Sequence, residues 1–89
     1  MDRRRSRLVG LLALLQQKGT PQIKEKVAAE YSFRTGATRQ TVDGYIWILL
    51  KSERVFERHE GGFLMLGTQE QWEKWEGAEV EARQERSVK

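Results

Sequence analysis

The sequence predicts one small domain, mainly α with a small β-hairpin: a three-helix core, the hairpin as a wing, and a C-terminal helix. Three observations carry this. Apolar residues recur at helical spacing in three segments before residue 52. Two β-like runs, Val55-Phe56-Glu57-Arg58 and Phe63-Leu64-Met65-Leu66, flank His59-Glu60-Gly61-Gly62. The length, 89 residues, allows a single core and a tail.

Leu8, Leu11, Leu12 and Leu15 stand at i, i+3, i+4 and i+7 and give the first helix its buried stripe. Asp2 is its expected cap, and Gly19, after Lys18, its stop. Thr20-Pro21 then reads as N-cap and first helical residue of a second helix, Pro21 to Ser32, buried through Ile23, Val27 and Tyr31. Residues 32–37 read as a connector, with Phe33 folded inward as a plug. Thr38 caps a third helix, spanning 38–52, whose buried side is Val42, Ile46 and Leu49. Gly44 costs that helix roughly 1 kcal/mol against alanine, which implies a close approach to its backbone. Gly61-Gly62 suits a hairpin turn needing positive φ. Along the second β-like run, Leu64 and Leu66 are expected to meet the core, with Phe63 and Met65 facing elsewhere. Thr68 with Gln71 forms a capping box for a last helix that carries Trp72 and Trp75.

Composition narrows the function. A domain this small buries only about 60–65% of its unfolded surface, so a deep catalytic cleft is not expected. No nucleophile–base pair or phosphate-binding glycine loop is present, so the chain is not expected to be an enzyme. With no cysteine and one histidine, neither a disulfide nor a metal site is expected. No cofactor or small-molecule ligand is implied.

Charge is uneven. Residues 1–67 hold 12 Lys/Arg against 7 Asp/Glu, a net of +5, while residues 68–89 hold 4 against 6, a net of −2. A basic body suits a polyanionic partner. Arg3-Arg4-Arg5 before an apolar run resembles a secretory signal, but the run ends in Gln16-Gln17-Lys18-Gly19 without a small-residue cleavage site. It is also too short to span a bilayer. The expected location is cytoplasmic, nucleoid-associated when bound to DNA, with no membrane partner.

The order of elements from Leu8 to Leu66 resembles the winged helix-turn-helix family of DNA-binding domains. Gly36-Ala37-Thr38 stands as the turn into a recognition helix, followed by Thr41-Val42, Ile46 and Leu49; Val55 to Arg58, Gly61-Gly62 and Leu64/Leu66 stand as the wing. This sequence departs from the pattern in the longer connection through Tyr31 to Thr35 and in Ser52-Glu53-Arg54, which lacks a glycine. The resemblance implies a wing gripping the DNA backbone and a third helix in the major groove. Arg39, Gln40, Asp43 and Trp47 would then lie at base edges, with the DNA close to the backbone at Gly44; arginine suits guanine, glutamine adenine and aspartate cytosine. Thr38, Thr41, Lys24 and the amides near Thr20 would position phosphates. Arg58 and His59 at the wing tip, and Arg3, Arg4, Arg5 and Arg7 in an N-terminal arm, would add charge.

The expected organisation is a DNA-binding unit over 1–67 with its basic arm, and a helical tail over 68–89 as a dimerisation element. Trp47, Ile48, Phe63, Met65, Trp72 and Trp75 exceed what one small core can hold, which points to a homodimer. The expected role is a small sequence-specific transcriptional regulator on double-stranded DNA. The alternatives are a replication or plasmid-maintenance factor and a winged-helix module that docks proteins.

Overall fold

The computed structural model describes residues 3–87, with side chains for residues 5–78. Its order is α1 (Arg3–Gln17), β1 (Gln22–Ile23), α2 (Lys24–Thr35), α3 (Arg39–Lys51), β2 (Phe56–Glu60), β3 (Phe63–Gly67) and α4 (Gln69–Ser87). The molecule is mainly helical with a small antiparallel sheet, in the expected layout of three helices, a wing and a final helix. Among the described residues, no helix is long and apolar enough to cross a membrane.

Helix α1 buries Leu11, Leu14 and Leu15, with Leu8 and Leu12 packed at the margin. It stops at Gly19, whose φ of +76° is open to a residue without Cβ. The expected Asp2 cap lies outside the described residues.

The second helix differs from expectation at both ends. Thr20-Pro21 does not begin it; the chain first runs extended, and Gln22 and Ile23 pair with Leu66 and Met65 of β3. Backbone pairing along an otherwise open sheet edge outweighs the local capping signal. Pro21 is buried, packed close to Gly67. At the other end the helix continues to Thr35, and Gly36 closes it with φ +73° and its N–H on the Ser32 carbonyl. The connection to α3 is therefore only Gly36-Ala37-Thr38, not a loop from residue 32. Phe33 is not a plug: it is 91% exposed, because it sits on the side of α2 opposite Val27, Ala28 and Tyr31.

Helix α3 begins as expected. The Thr38 hydroxyl accepts a hydrogen bond from the Thr41 amide at 3.2 Å, the usual N-cap arrangement. Val42, Tyr45, Ile46 and Leu49 are buried against Leu11, Leu15 and Val27 in one core. Beyond Lys51 the chain turns through Glu53, at φ +59°, the conformation that a glycine would have taken freely.

The hairpin also forms as expected. Phe56 to Glu60 pairs with Phe63 to Gly67, and Gly61 and Gly62 both have positive φ in the two-residue turn. Adding β1 makes three strands in the order β1-β3-β2, one more than the sequence suggested. Leu66 is fully buried and Leu64 half-buried, while Phe63 on the other face is 55% exposed.

The expected capping box opens α4: Thr68 Oγ1 accepts from the Gln71 amide at 3.2 Å, and Gln71 Oε1 accepts from the Thr68 amide at 3.0 Å. Gln71 also donates through Nε2 to the Leu15 carbonyl at 2.7 Å, tying α4 to the end of α1. Trp72 is buried and donates from Nε1 to the Phe56 carbonyl at 2.9 Å, with Trp75 edge-on to it. The first turns of α4 thus lid their own domain.

Candidate nucleic-acid interface

Helix α3 divides its residues cleanly. One side seals the core through Val42 and Ile46, both at 0% exposure. On the opposite side Gln40, Gly44, Trp47 and Lys51 recur at i, i+4, i+7 and i+11, and all four are exposed. Trp47 stands 59% exposed, with the Lys51 ammonium 5.9 Å from its ring centre. A Cβ on Gly44 would meet nothing within 4 Å, so the protein's own packing does not require glycine there. Thr41, Gly44, Tyr45, Trp47 and Ile48 line one open concavity along this side.

The flank of α3 that faces α2 is polar and internally paired. Arg39 Nε bonds Asp43 Oδ1 at 3.2 Å, and its other arm reaches Glu25 Oε1 at 3.5 Å. The Asp43 hydrogen bond, then its charge, push the already high Arg39 pKa further up. The Thr38 and Thr41 hydroxyls bond each other at 2.9 Å. These groups are all exposed, and contacts of this kind exchange readily for a phosphate or a base edge.

No family model, curated protein or solved structure matches this chain.

The other expected contacts are dispersed. Lys24 opens α2, so the helix start lies four residues beyond Thr20, and its ammonium pairs with Glu57 of β2 at 3.1 Å. Arg58 and His59 lie within β2, not at the wing tip, which is Gly61-Gly62. Arg58 stacks 4.7 Å over the Trp72 ring and pairs with Glu76 of α4 at 2.6 Å, which turns it toward the tail helix. His59 is exposed. Arg3 and Arg4 are the first residues of α1, and their side chains lie outside the described residues. Arg5 is exposed on the same helix.

The basic start of α1 is anchored to the other helices. The Tyr31 hydroxyl donates to the Arg7 carbonyl, and Arg7 reaches the Tyr45 hydroxyl at 3.5 Å, so α1, α2 and α3 meet at one polar joint. Burial, followed by the neighbouring Tyr45, raises the Tyr31 pKa above its ordinary value. The expected N-terminal arm is thus the first turns of α1, and this joint fixes their position relative to α3.

Three features escaped the sequence reading. Lys51 shares the outer stripe with Trp47, and its i+4 spacing was the available signal. Glu25 faces Arg39 from another helix, and Glu76 faces Arg58 across 18 residues; neither pairing has a local signal. Among the described residues no cluster of His, Cys, Asp or Glu could hold a metal ion.

Proposed function

We propose that the protein is a double-stranded DNA-binding module, a small transcriptional regulator that lays the outer side of α3 into the major groove. The observation that carries this is the division of α3: a back welded into the core by Val42 and Ile46, and a front of Gln40, Gly44, Trp47 and Lys51 left in solvent. The short Gly36-Ala37-Thr38 turn and the Thr38 cap support it, because they start α3 sharply after α2 and fix its first turn. So does the net +5 of residues 1–67, with Arg5, Lys51 and Arg54 exposed. Arg39 and Gln40 read bases in this account, while Lys24 and the N-terminal arginines neutralise phosphates. A second copy of the chain reads the second half-site, and the compartment is the cytoplasm.

Fluorescence anisotropy of a labelled random duplex, titrated with salt, tests the reading. Six to eight phosphate contacts give a log–log salt slope of about −5 to −7. Replacing Arg39 and Gln40 by alanine relaxes target preference while leaving that slope nearly unchanged.

The exposed Trp47 beside Ile48 favours one second reading, a module that docks another protein through α3. An absence of duplex binding even at low salt would select it over the first.

A further inference from the structure

Among the described residues, nothing occupies the concavity around Gly44. Glycine in the middle of α3 costs roughly 1 kcal/mol against alanine. Nothing within 4 Å of its missing Cβ accounts for that cost. Around it stand the exposed indole of Trp47, Ile48, the buried ring of Tyr45, and Thr41. The lining is apolar apart from two hydroxyls, and its rim carries the Lys51 ammonium above the Trp47 ring. That positive rim suits an apolar group embedded in a polyanion.

On the floor of the major groove, base edges offer hydrogen-bond donors and acceptors and a single apolar group, the C5-methyl of thymine. We infer that the concavity between Gly44 and Trp47 is a pyrimidine C5-methyl reader: Gly44 lets a base edge come down to the helix backbone, and Trp47 and Ile48 line the space beside it. This rests on the DNA-binding reading above and adds the chemical group that α3 selects. Thymine and 5-methylcytosine carry the same methyl group, and the test separates them.

The probe is the tightest duplex selected from a random library with the full-length protein. Each thymine in it is replaced in turn by deoxyuridine, which removes only the methyl group. One position per half-site should then lose about fourfold in affinity, the value of burying one methyl group. Gly44→Ala adds a methyl group in open space and strengthens the helix, so it folds; the added methyl holds a base edge off the backbone and should reduce the preference for the thymine over the deoxyuridine duplex. Trp47→Ala, at an exposed site, should also lose the discrimination. At the sensitive position, 5-methylcytosine should bind about fourfold better than cytosine.

Insensitivity to every deoxyuridine replacement, with tight binding retained, overturns the inference. So does a loss that persists undiminished in Gly44→Ala and Trp47→Ala, since the methyl group would then act through DNA shape. Failure of 5-methylcytosine to improve on cytosine also overturns it. Failure to select any duplex, together with no salt-dependent binding, overturns the DNA-binding reading itself.

Discussion

Gly10 and Tyr31 provide a test of the packing in which the sign of an effect reverses. A Cβ placed on Gly10 would stand 2.7 Å from the Tyr31 hydroxyl oxygen, but 3.7 Å from Cζ of the same ring. That hydroxyl donates to the Arg7 carbonyl, and the ring is buried. Gly10→Ala gains about 0.8–1 kcal/mol of helix propensity in α1. Against this stand a lost hydrogen bond, about 0.5–1.5 kcal/mol, and the displacement of a packed ring, about 1–3 kcal/mol. The losses win, and the substitution should destabilise by about 1–2 kcal/mol. Tyr31→Phe alone should cost about 1 kcal/mol, since the Arg7 carbonyl lies within α1. In that background the new methyl meets only ordinary van der Waals neighbours, so Gly10→Ala should now stabilise by about 1 kcal/mol. Urea unfolding of the four proteins, followed by circular dichroism, gives the coupling directly. Equal stabilisation by Gly10→Ala in both backgrounds would refute the claimed contact between α1 and α2.

Gln71→Leu should destabilise by about 2 kcal/mol in thermal unfolding, because it removes half of the capping box and the bond to the Leu15 carbonyl. Gly62→Ala should cost about 1 kcal/mol by urea unfolding, since its φ of +85° strains any residue with a Cβ. Because the folded-state Tyr31 pKa lies above its ordinary value, the stability it contributes is full below pH of about 10 and is lost as pH rises through the shifted value. Alkaline unfolding curves should therefore fall less steeply for Tyr31→Phe.

The parts of the fold legible in the sequence are those with signals only a few residues long. Thr38 capping α3, the Thr68/Gln71 box and the Gly61-Gly62 turn are all present as read. Strand β1 was hidden because it has two residues and exists only through its partners in β3. Thr20-Pro21 offered a sound local cap, and the sheet edge overrode it. Phe33 shows a different failure. An aromatic residue was assigned to the core by its chemistry, whereas its place on the helix set it opposite Val27 and Tyr31, in solvent. For the interface, Gln40, Gly44 and Trp47 on the outer side of α3 are legible at helical spacing, but Glu25 beside Arg39 and Glu76 beside Arg58 come from other elements and needed the folded chain.

The most direct test uses the three tryptophans as separate reporters. Trp47 stands in solvent on α3, Trp72 is buried under the wing, and Trp75 packs against Trp72. Their indole N–H resonances, assigned by single Trp→Phe replacements, can be followed as a short DNA duplex is added. The account predicts a large shift of the Trp47 signal, reversed by salt, with the Trp72 signal unmoved. A Trp47 signal that stays in place while the duplex binds would contradict the assignment of α3 to the major groove.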